Sequence, residues 1–152
     1  MKLDKTDLRI LKILQNNSNL TTKELAARVN LSATPVFERV KKLEKQGYIK
    51  NYVAILDAEK LEMNLTVFCS ITLREHTREI GDQFVKDIQS LNKVVECYNI
   101  SGNYDFLLKV LVKDMKGYQY FVLNELGGIK NIGSTQSTFV VGEIKHTYSI
   151  PL

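Results

Sequence analysis

Hydroxyl, carboxylate and amino groups share one side of residues 32–43, SATPVFERVKKL, when this segment is drawn as a helix. An α-helix turns about 100° per residue, so Val36, Val40 and Leu43 fall in one narrow arc that predicts a buried stripe. The residues that point away from this stripe are Thr34, Glu38, Lys41, Lys42 and Lys45. Amino groups in this arrangement can neutralise phosphates, although a solvated amphipathic helix has the same pattern.

The ends of this helix are marked by residues with special backbone properties. Ser32 suits the N-cap, because its hydroxyl can accept an unpaired N–H group of the first turn. Pro35 then lies in the first turn, where a missing N–H costs no helical hydrogen bond. Gly47 follows the last turn, at the usual position of a helix-ending glycine. The sequence therefore predicts a helix whose N-terminal end is accessible.

A second, shorter helix is predicted just before it, in LTTKELAARVNL, residues 20–31. Thr21 or Thr22 can cap this helix, and Thr21 with Glu24 has the spacing of a capping box. Ala26 is small where two helices must cross closely, and Asn30 tolerates the left-handed backbone of a tight turn. Two short helices joined by such a turn form a helix-turn-helix, whose second helix enters the DNA major groove.

The predicted contacts with double-stranded DNA are of two kinds. Thr34, Pro35 and Glu38 are expected at base edges, since a carboxylate can accept from cytosine and a threonine methyl can contact thymine. Contacts with phosphates, which position the protein without reading sequence, are assigned to Thr22, Lys23, Arg39, Lys41 and Lys42. Ser32 is included in the same surface. The alternative for Glu38 is a surface ion pair with Lys42, four residues later.

The distribution of charge agrees with a DNA-binding segment at the N-terminus. The chain has 152 residues and a net charge of +4. Residues 1–52 hold 11 basic and 5 acidic residues, hence +6, whereas the remainder holds 10 basic and 12 acidic residues, hence −2. Such asymmetry is typical of a nucleic-acid-binding module. No apolar run approaches the length of a membrane span, and we expect a cytoplasmic protein.

Residues for catalysis or metal binding are not grouped in the sequence. The two cysteines, Cys69 and Cys97, lie in strand-like runs and are interpreted as free, apolar residues. The two histidines, His76 and His146, have no partners at metal-ligand spacing. There is also no glycine-rich phosphate loop and no HExxH sequence. We therefore expect neither an enzyme nor a metal site.

The second half of the chain repeats one pattern of strands and helices. The predicted order is a strand at 66–74, a helix with apolar positions Ile80, Phe84, Ile88 and Leu91, strands at 94–100 and 105–113, a helix after Asp114, and a strand at 137–145. The apolar face of the second helix is Met115, Tyr118, Phe121 or Val122, and Leu126. This β-α-β-β-α-β order predicts an α+β, ferredoxin-like domain with helices on one face of an antiparallel sheet. A second copy of the sheet is expected to cover the other face.

Residues 48–57, YIKNYVAILD, connect the two halves. Their alternation of apolar and polar residues predicts a strand, which could be a wing of the DNA-binding domain, a connector, or both. The predicted organisation is a helix-turn-helix domain at 1–52, a hinge strand and linker at 53–64, and the ferredoxin-like domain at 65–152.

The loop SGNYD, residues 101–105, has the groups needed to hold a zwitterion. A glycine turn between two strands is most often only a hairpin. Here, however, Tyr104 and Asp105 follow the turn at the start of a strand. A carboxylate and backbone N–H groups can hold the ammonium and carboxylate ends of an amino acid.

Taken along its whole length, the sequence resembles the Lrp/AsnC, or feast/famine, family of transcriptional regulators. The resemblance is carried by residues 3–57, by VVECYNISGNYDFLLKVLVKDMKGYQYFV and by the final STQSTFVVGEIK. It implies a (winged) helix-turn-helix domain and an effector-binding domain, dimers that often assemble to octamers, an amino-acid effector held between dimers, and no cofactor. The residues that the resemblance places near the effector are Gly102, Asn103, Tyr104, Asp105, Met115, Gln136, Ser137 and Thr138.

Three functions remain open at the level of sequence. The first is a sequence-specific regulator of amino-acid metabolism whose assembly or DNA affinity responds to the effector. The second is a nucleoid-associated architectural protein with little effector dependence. The third is a regulatory subunit of a metabolic enzyme, because ferredoxin-like sheets also serve that role; the basic helix-turn-helix argues against it. Asn30-Leu31 stands where many relatives have Gly-Val or Gly-Leu. Gly133 stands where some relatives have a polar residue near the ligand, which leaves the identity of the amino acid open.

Overall fold

Three helices and a four-stranded sheet with its own helices form two compact units in this computed structural model, which describes residues 3–152. The N-terminal unit contains α1 (Lys5–Leu14), α2 (Thr22–Val29) and α3 (Ala33–Lys45). The C-terminal unit contains β1 (Leu65–Leu73), α4 (Arg78–Gln89), β2 (Val94–Asn99), β3 (Phe106–Val112), α5 (Met115–Tyr120) and β4 (Ile132–Phe139). The order of elements confirms both the helix-turn-helix and the β-α-β-β-α-β prediction.

The first two helices begin at reciprocal capping boxes. The Asp4 carboxylate accepts from the Asp7 N–H at 2.7 Å, and the Asp4 N–H donates back to the Asp7 carboxylate at 3.2 Å. Thr21 and Glu24 repeat this arrangement at the start of α2, which settles the predicted choice between Thr21 and Thr22. Each box satisfies N–H groups that have no partner within the helix.

The second and third helices, α2 and α3, are each followed by a residue with left-handed backbone. Asn30 follows α2 with φ of 56°, and the Leu31 N–H donates to the Ala26 carbonyl at 3.1 Å. Gly47 follows α3 with φ of 76°, and the Tyr48 N–H donates to the Leu43 carbonyl at 3.0 Å. Both are closures of the Schellman type, which turn the chain sharply after a helix. The turn after α2 therefore sets the direction in which α3 leaves.

The apolar residues of the three helices share one core. Its buried members are Ile10, Leu25, Ala26, Val29, Val36 and Leu43. Ala26 is only 3% exposed, as its small size predicted. On α1, Ile10 is fully buried in this core, and the half-buried Leu11 and Leu14 pack against it.

The predicted strand at 48–57 is wrong. These residues form neither helix nor strand, and Val53 and Ile55 are each 71% exposed. A strand requires a neighbouring strand as hydrogen-bonding partner, and the four strands among residues 3–152 pair with one another in the C-terminal unit.

The C-terminal unit is an antiparallel sheet of order β2-β3-β1-β4 with helices on one face. Successive side chains of a strand point to opposite faces, and alternate residues of β1 and β3 are buried. The buried residues that join these strands to the helices are Val67, Cys69, Ile71, Leu73, Phe84, Ile88, Phe106, Leu108, Val110, Val112, Tyr118, Phe121 and Leu126. The opposite face includes Phe68, Leu107 and Leu111, which are half-buried.

The helix after Asp114 departs from the predicted regular spacing. It begins as α5, continues as a π-helical turn at Phe121–Glu125, and ends as a short 3₁₀ turn at Leu126–Gly128. The wider π turn lets Phe121 and Leu126, five residues apart, both reach the core. Met115 was predicted on the apolar face, but it lies on the first turn and is 48% exposed.

The last strand occupies a different position from the predicted 137–145, because β4 runs from Ile132 to Phe139. Beyond it, residues 144–152 belong to the N-terminal unit, together with the described residues up to 55. The Gln15 side chain holds this tail by donating to the Ile150 carbonyl at 3.1 Å and accepting from the Ile150 N–H at 3.0 Å. The sequence-based division had assigned 144–152 to the C-terminal domain, so the two divisions differ there.

Candidate functional site

The outer face of α3 presents three of the residues assigned to DNA. Thr34, Glu38 and Lys42 are exposed, on the side away from the buried Val36 and Leu43. Among the described residues, Glu38 and Lys42 form no ion pair with each other. The ion pair that was the alternative role for Glu38 is therefore absent. This face can present a carboxylate and a hydroxyl to base edges and an amino group to phosphate.

Lys41 is partly engaged within its own helix. Its Nζ lies 2.8 Å from the Glu44 carboxylate and 5.8 Å from the centre of the Phe37 ring. Glu44 also accepts from the Tyr52 hydroxyl at 3.0 Å. Partial burial first, and then Glu44, raises the pKa of Tyr52 to about 12. Lys41 therefore belongs to a small cluster at the side of α3, whereas Lys42 stands clear of that cluster.

The start of α3 differs from the starts of α1 and α2. Ser32 has the extended backbone of an N-cap, but its side chain makes no capping hydrogen bond. Ser32 therefore occupies the predicted N-cap position, but the predicted hydrogen bond to its side chain is absent. The first N–H groups of α3 keep their capacity to donate to an anion, which is how helix N-termini bind phosphate. Pro35 is half-buried in this turn, and Thr22 and Lys23 begin α2, where Lys23 is exposed.

Arg39, for which a contact with phosphate was predicted, forms ion pairs within the N-terminal unit. Its guanidinium lies 2.6 Å from the Asp4 carboxylate and 2.6 Å from that of Asp7, whose side chain is only 7% exposed. The hydrogen bond with Asp4 first, and then that with Asp7, raises the pKa of Arg39. The pKa of Asp4 is lowered, first by the Asp7 N–H and then by Arg39. Arg39 thus binds α3 to the start of α1, and these two ion pairs compete with the predicted contact between Arg39 and phosphate.

The candidate effector loop, residues 100–105, is a tight hairpin between β2 and β3. Gly102 has φ of 125°, which side-chain-bearing residues rarely adopt. The Ile100 N–H donates to the Asp105 carbonyl at 2.9 Å. The Tyr104 hydroxyl donates a hydrogen bond to the Gln136 side-chain carbonyl on β4, so two of the predicted effector residues are in contact.

Asp105 lies at the start of β3 and is held by neighbouring elements. Its Oδ2 accepts from the Leu73 N–H at 2.7 Å, and its own N–H donates to the Ile71 carbonyl at 2.8 Å. His76 Nε2 lies 3.1 Å from each carboxylate oxygen of Asp105. His76 was missed in the sequence, where nothing in its spacing linked it to residue 105.

Of the other predicted effector residues, Ser137 and Thr138 directly follow Gln136 on β4, and Met115 lies away from this loop. Ser137 faces the helices and its hydroxyl is 2.5 Å from that of Tyr118, whereas Thr138 is exposed on β4. Met115 follows β3, at the end opposite to Asp105. A strand of this length spans about 20 Å, so a single protomer does not bring Met115 to the hairpin.

Two clefts of about 640 and 650 Å³ lie beside residues 128–131 of the C-terminal unit. Neither is lined by any of the eight predicted effector residues. Within residues 3–152 there is no group of three acidic, histidine or cysteine side chains able to hold a metal ion. Over the same residues, no helix has the length and apolar character to cross a membrane.

Comparison with known proteins agrees with both units. Residues 3–50 match the winged helix-turn-helix DNA-binding family, and residues 66–150 match the Lrp/AsnC ligand binding domain. The leucine-responsive regulatory protein of Escherichia coli K12 is 37% identical over 145 residues, which cover 95% of this chain and 88% of that protein.

Solved structures give the same result. A transcriptional regulator from Neisseria meningitidis, in complex with L-Met, is 37% identical with a TM-score of 0.95, over 99% of this chain and 97% of that one. An AsnC family regulator from Agrobacterium tumefaciens is 38% identical with a TM-score of 0.94, over 98% and 97% of the two chains. The helix-turn-helix, the ferredoxin-like sheet and these matches together establish that the chain belongs to the Lrp/AsnC family of transcriptional regulators.

Proposed function

We propose that this regulator reads DNA sequence as a dimer and that an amino acid, bound beside Asp105, changes its assembly or its DNA affinity. The observation that carries the DNA part is the outer face of α3, where Thr34, Glu38 and Lys42 are exposed together. The two recognition helices of a dimer meet half-sites about one helical turn apart, or a multiple of it.

The division of roles on α3 follows from chemistry. Glu38 and Thr34 contact bases, and Pro35 adjoins them at the accessible helix start. Lys42 contacts a phosphate, supported by Lys23 and Thr22 at the start of α2, and Ser32 and Lys41 flank this surface. Carboxylates and methyl groups discriminate between bases, whereas ammonium groups respond to any phosphate.

The partner for the dimer is a second copy of the C-terminal sheet. The face opposite the helices includes Phe68, Leu107, Leu111 and the half-exposed Tyr98. Burial of such apolar side chains stabilises association by about 25 cal/mol per Å² of apolar surface. Packing against another copy would remove this face from water.

The effector is proposed to be an amino acid because the loop offers complementary groups. Asp105 can pair with an ammonium, and Gly102, Asn103 and Tyr104 line the same hairpin as Gln136. Ser137 and Thr138 directly follow Gln136 on β4, whereas Met115 lies beyond the opposite end of β3, so a pocket that joins Met115 to the hairpin needs two protomers. The neisserial relative binds L-methionine, which makes this amino acid the first to test.

The effector is tested by measuring Tm against each of the twenty amino acids. A ligand that binds only the folded state raises Tm, and the rise grows with the ratio of free ligand concentration to Kd. We expect one or a few amino acids to raise Tm in the wild-type chain, and Asp105→Ala to abolish that rise without loss of the dimer. Asp82→Ala is the matched control, because Asp82 is an exposed carboxylate on α4. Undiminished stabilisation of Asp105→Ala would show that Asp105 is a structural turn residue.

A further inference from the structure

The carboxylate proposed to hold the effector already has a partner within the protomer. Both Asp105 oxygens lie 3.1 Å from His76 Nε2, in the loop between β1 and α4. The His76 side chain is 67% exposed and that of Asp105 is 26% exposed. An exposed ion pair contributes little to stability, so a ligand can displace the imidazole at low cost.

The other basic side chains near this loop have partners other than Asp105, so His76 is the group that competes for this carboxylate. Arg74 Nε donates to the Ile132 carbonyl at 3.1 Å, and Arg78 Nε lies 3.8 Å from the Asp82 carboxylate. Glu75 is exposed in the same loop. Among the described residues, His76 is the one basic side chain within 4 Å of the Asp105 carboxylate, whose Oδ2 also accepts from the Leu73 N–H.

We propose that His76 competes with the effector ammonium for Asp105, so that protonation of His76 lowers effector affinity. This inference rests on the proposed function, in which Asp105 holds the ammonium. Binding breaks the contact between imidazole and carboxylate and forms one between ammonium and carboxylate. The regulator would thereby respond to pH as well as to the amino acid.

The direction of the pH effect follows from the charge of the imidazole. Histidine ordinarily changes charge between about pH 5 and pH 8. In acid, the imidazolium pairs with Asp105 and must be displaced by the effector. In mild base, the neutral imidazole offers Asp105 only a neutral hydrogen bond, so the ammonium competes better. By linkage, effector binding must then favour release of a proton from His76.

The experiment is calorimetric titration of the full chain with L-methionine at about pH 5.5 and about pH 8. The variants are His76→Gln, which keeps a polar side chain without a titratable group, and the control His146→Gln. His146 is the chain's other histidine and lies against the Tyr148 ring, with 4.6 Å between ring centres. Titration near pH 6.5 in two buffers of different ionisation enthalpy measures the protons released.

We expect wild type and His146→Gln to bind L-methionine about two- to fivefold more weakly at the lower pH. His76→Gln should bind equally at both pH values and release no protons. Competition is overturned if His76→Gln keeps the wild-type pH ratio, or if it binds more weakly at both pH values, since His76 would then be a ligand of the effector. Absence of L-methionine binding by every variant at both pH values would instead overturn the proposed effector, and the competition with it.

Discussion

At the scale of single residues, Arg39 and Lys42 contrast a structural contact with a proposed contact to DNA. They are three residues apart on α3, yet Arg39 bonds to Asp4 and Asp7 whereas Lys42 is exposed. Sequence pattern assigned both to phosphate, because a helical wheel shows the direction of a side chain but not its partner. The partners of Arg39 are 32 and 35 positions away, and only the packing of α1 against α3 brings them together.

Two alanine substitutions separate these roles. Arg39→Ala should destabilise the protein by about 1–3 kcal/mol, because the buried Asp7 carboxylate loses its charged donor. Lys42→Ala should leave the free energy of unfolding unchanged but weaken DNA binding to all sequences and reduce the salt dependence by about one unit of slope. Urea denaturation and DNA titration across salt concentrations measure the two effects. Equal stability of the two variants would contradict the assignment.

His76 and Asp105 illustrate the same limit at the candidate effector site. The hairpin and its glycine are local features, and SGNYD predicted both. The contact with His76 depends on the antiparallel register in which Ile71 lies opposite Phe106, which also brings the Leu73 N–H to Asp105. No local spacing rule contains this register, so the residue that controls the carboxylate was missed.

At the scale of elements, helix termini were the most predictable features. The segment between the two domains, predicted as a strand, was the least predictable. Thr21, Glu24, Asn30 and Gly47 act through hydrogen bonds and backbone angles within a few residues, so their types sufficed to predict them. Residues 48–57 have the pattern of a strand, but a strand forms only beside another, and this protomer offers them none. The π-helical turn was likewise missed, because the predicted apolar face assumed regular helical spacing throughout.

The capping box of α2 makes stability depend on pH. Hydrogen bonds from the Thr21 hydroxyl first, and then its N–H, lower the pKa of Glu24 in the folded chain. A lowered pKa contributes stability above the unfolded value, about 4.3, which is lost as pH falls through the folded value. Glu24→Gln should therefore lower Tm at neutral pH and have little effect near pH 3. Glu38→Gln, at an exposed position on α3, is the control and should leave Tm unchanged at both pH values. An equal loss of Tm in the two variants would show that the capping box of α2 does not cause the pH dependence.

At the scale of the whole molecule, the uncovered face of the sheet predicts self-association. Leu107→Asp places a carboxylate among Phe68, Leu111 and Tyr98, where dimer burial would have to desolvate it. We expect this variant to sediment as a monomer at micromolar concentration while the wild-type chain is at least a dimer. The control is Leu31→Asp, at an exposed apolar position of the N-terminal unit. A dimer that survives Leu107→Asp would place the interface elsewhere.

The central claim is that α3 reads DNA sequence in a dimer, and selection from a random double-stranded library tests it most directly. The purified chain should enrich a pseudo-palindromic site with half-sites about one helical turn apart, or a multiple of it. Selection with Glu38→Ala should change the preferred base at one position in each half-site and leave the rest of the motif intact. Enrichment of no motif, with uniform retention of the library, would contradict the account and favour an architectural protein.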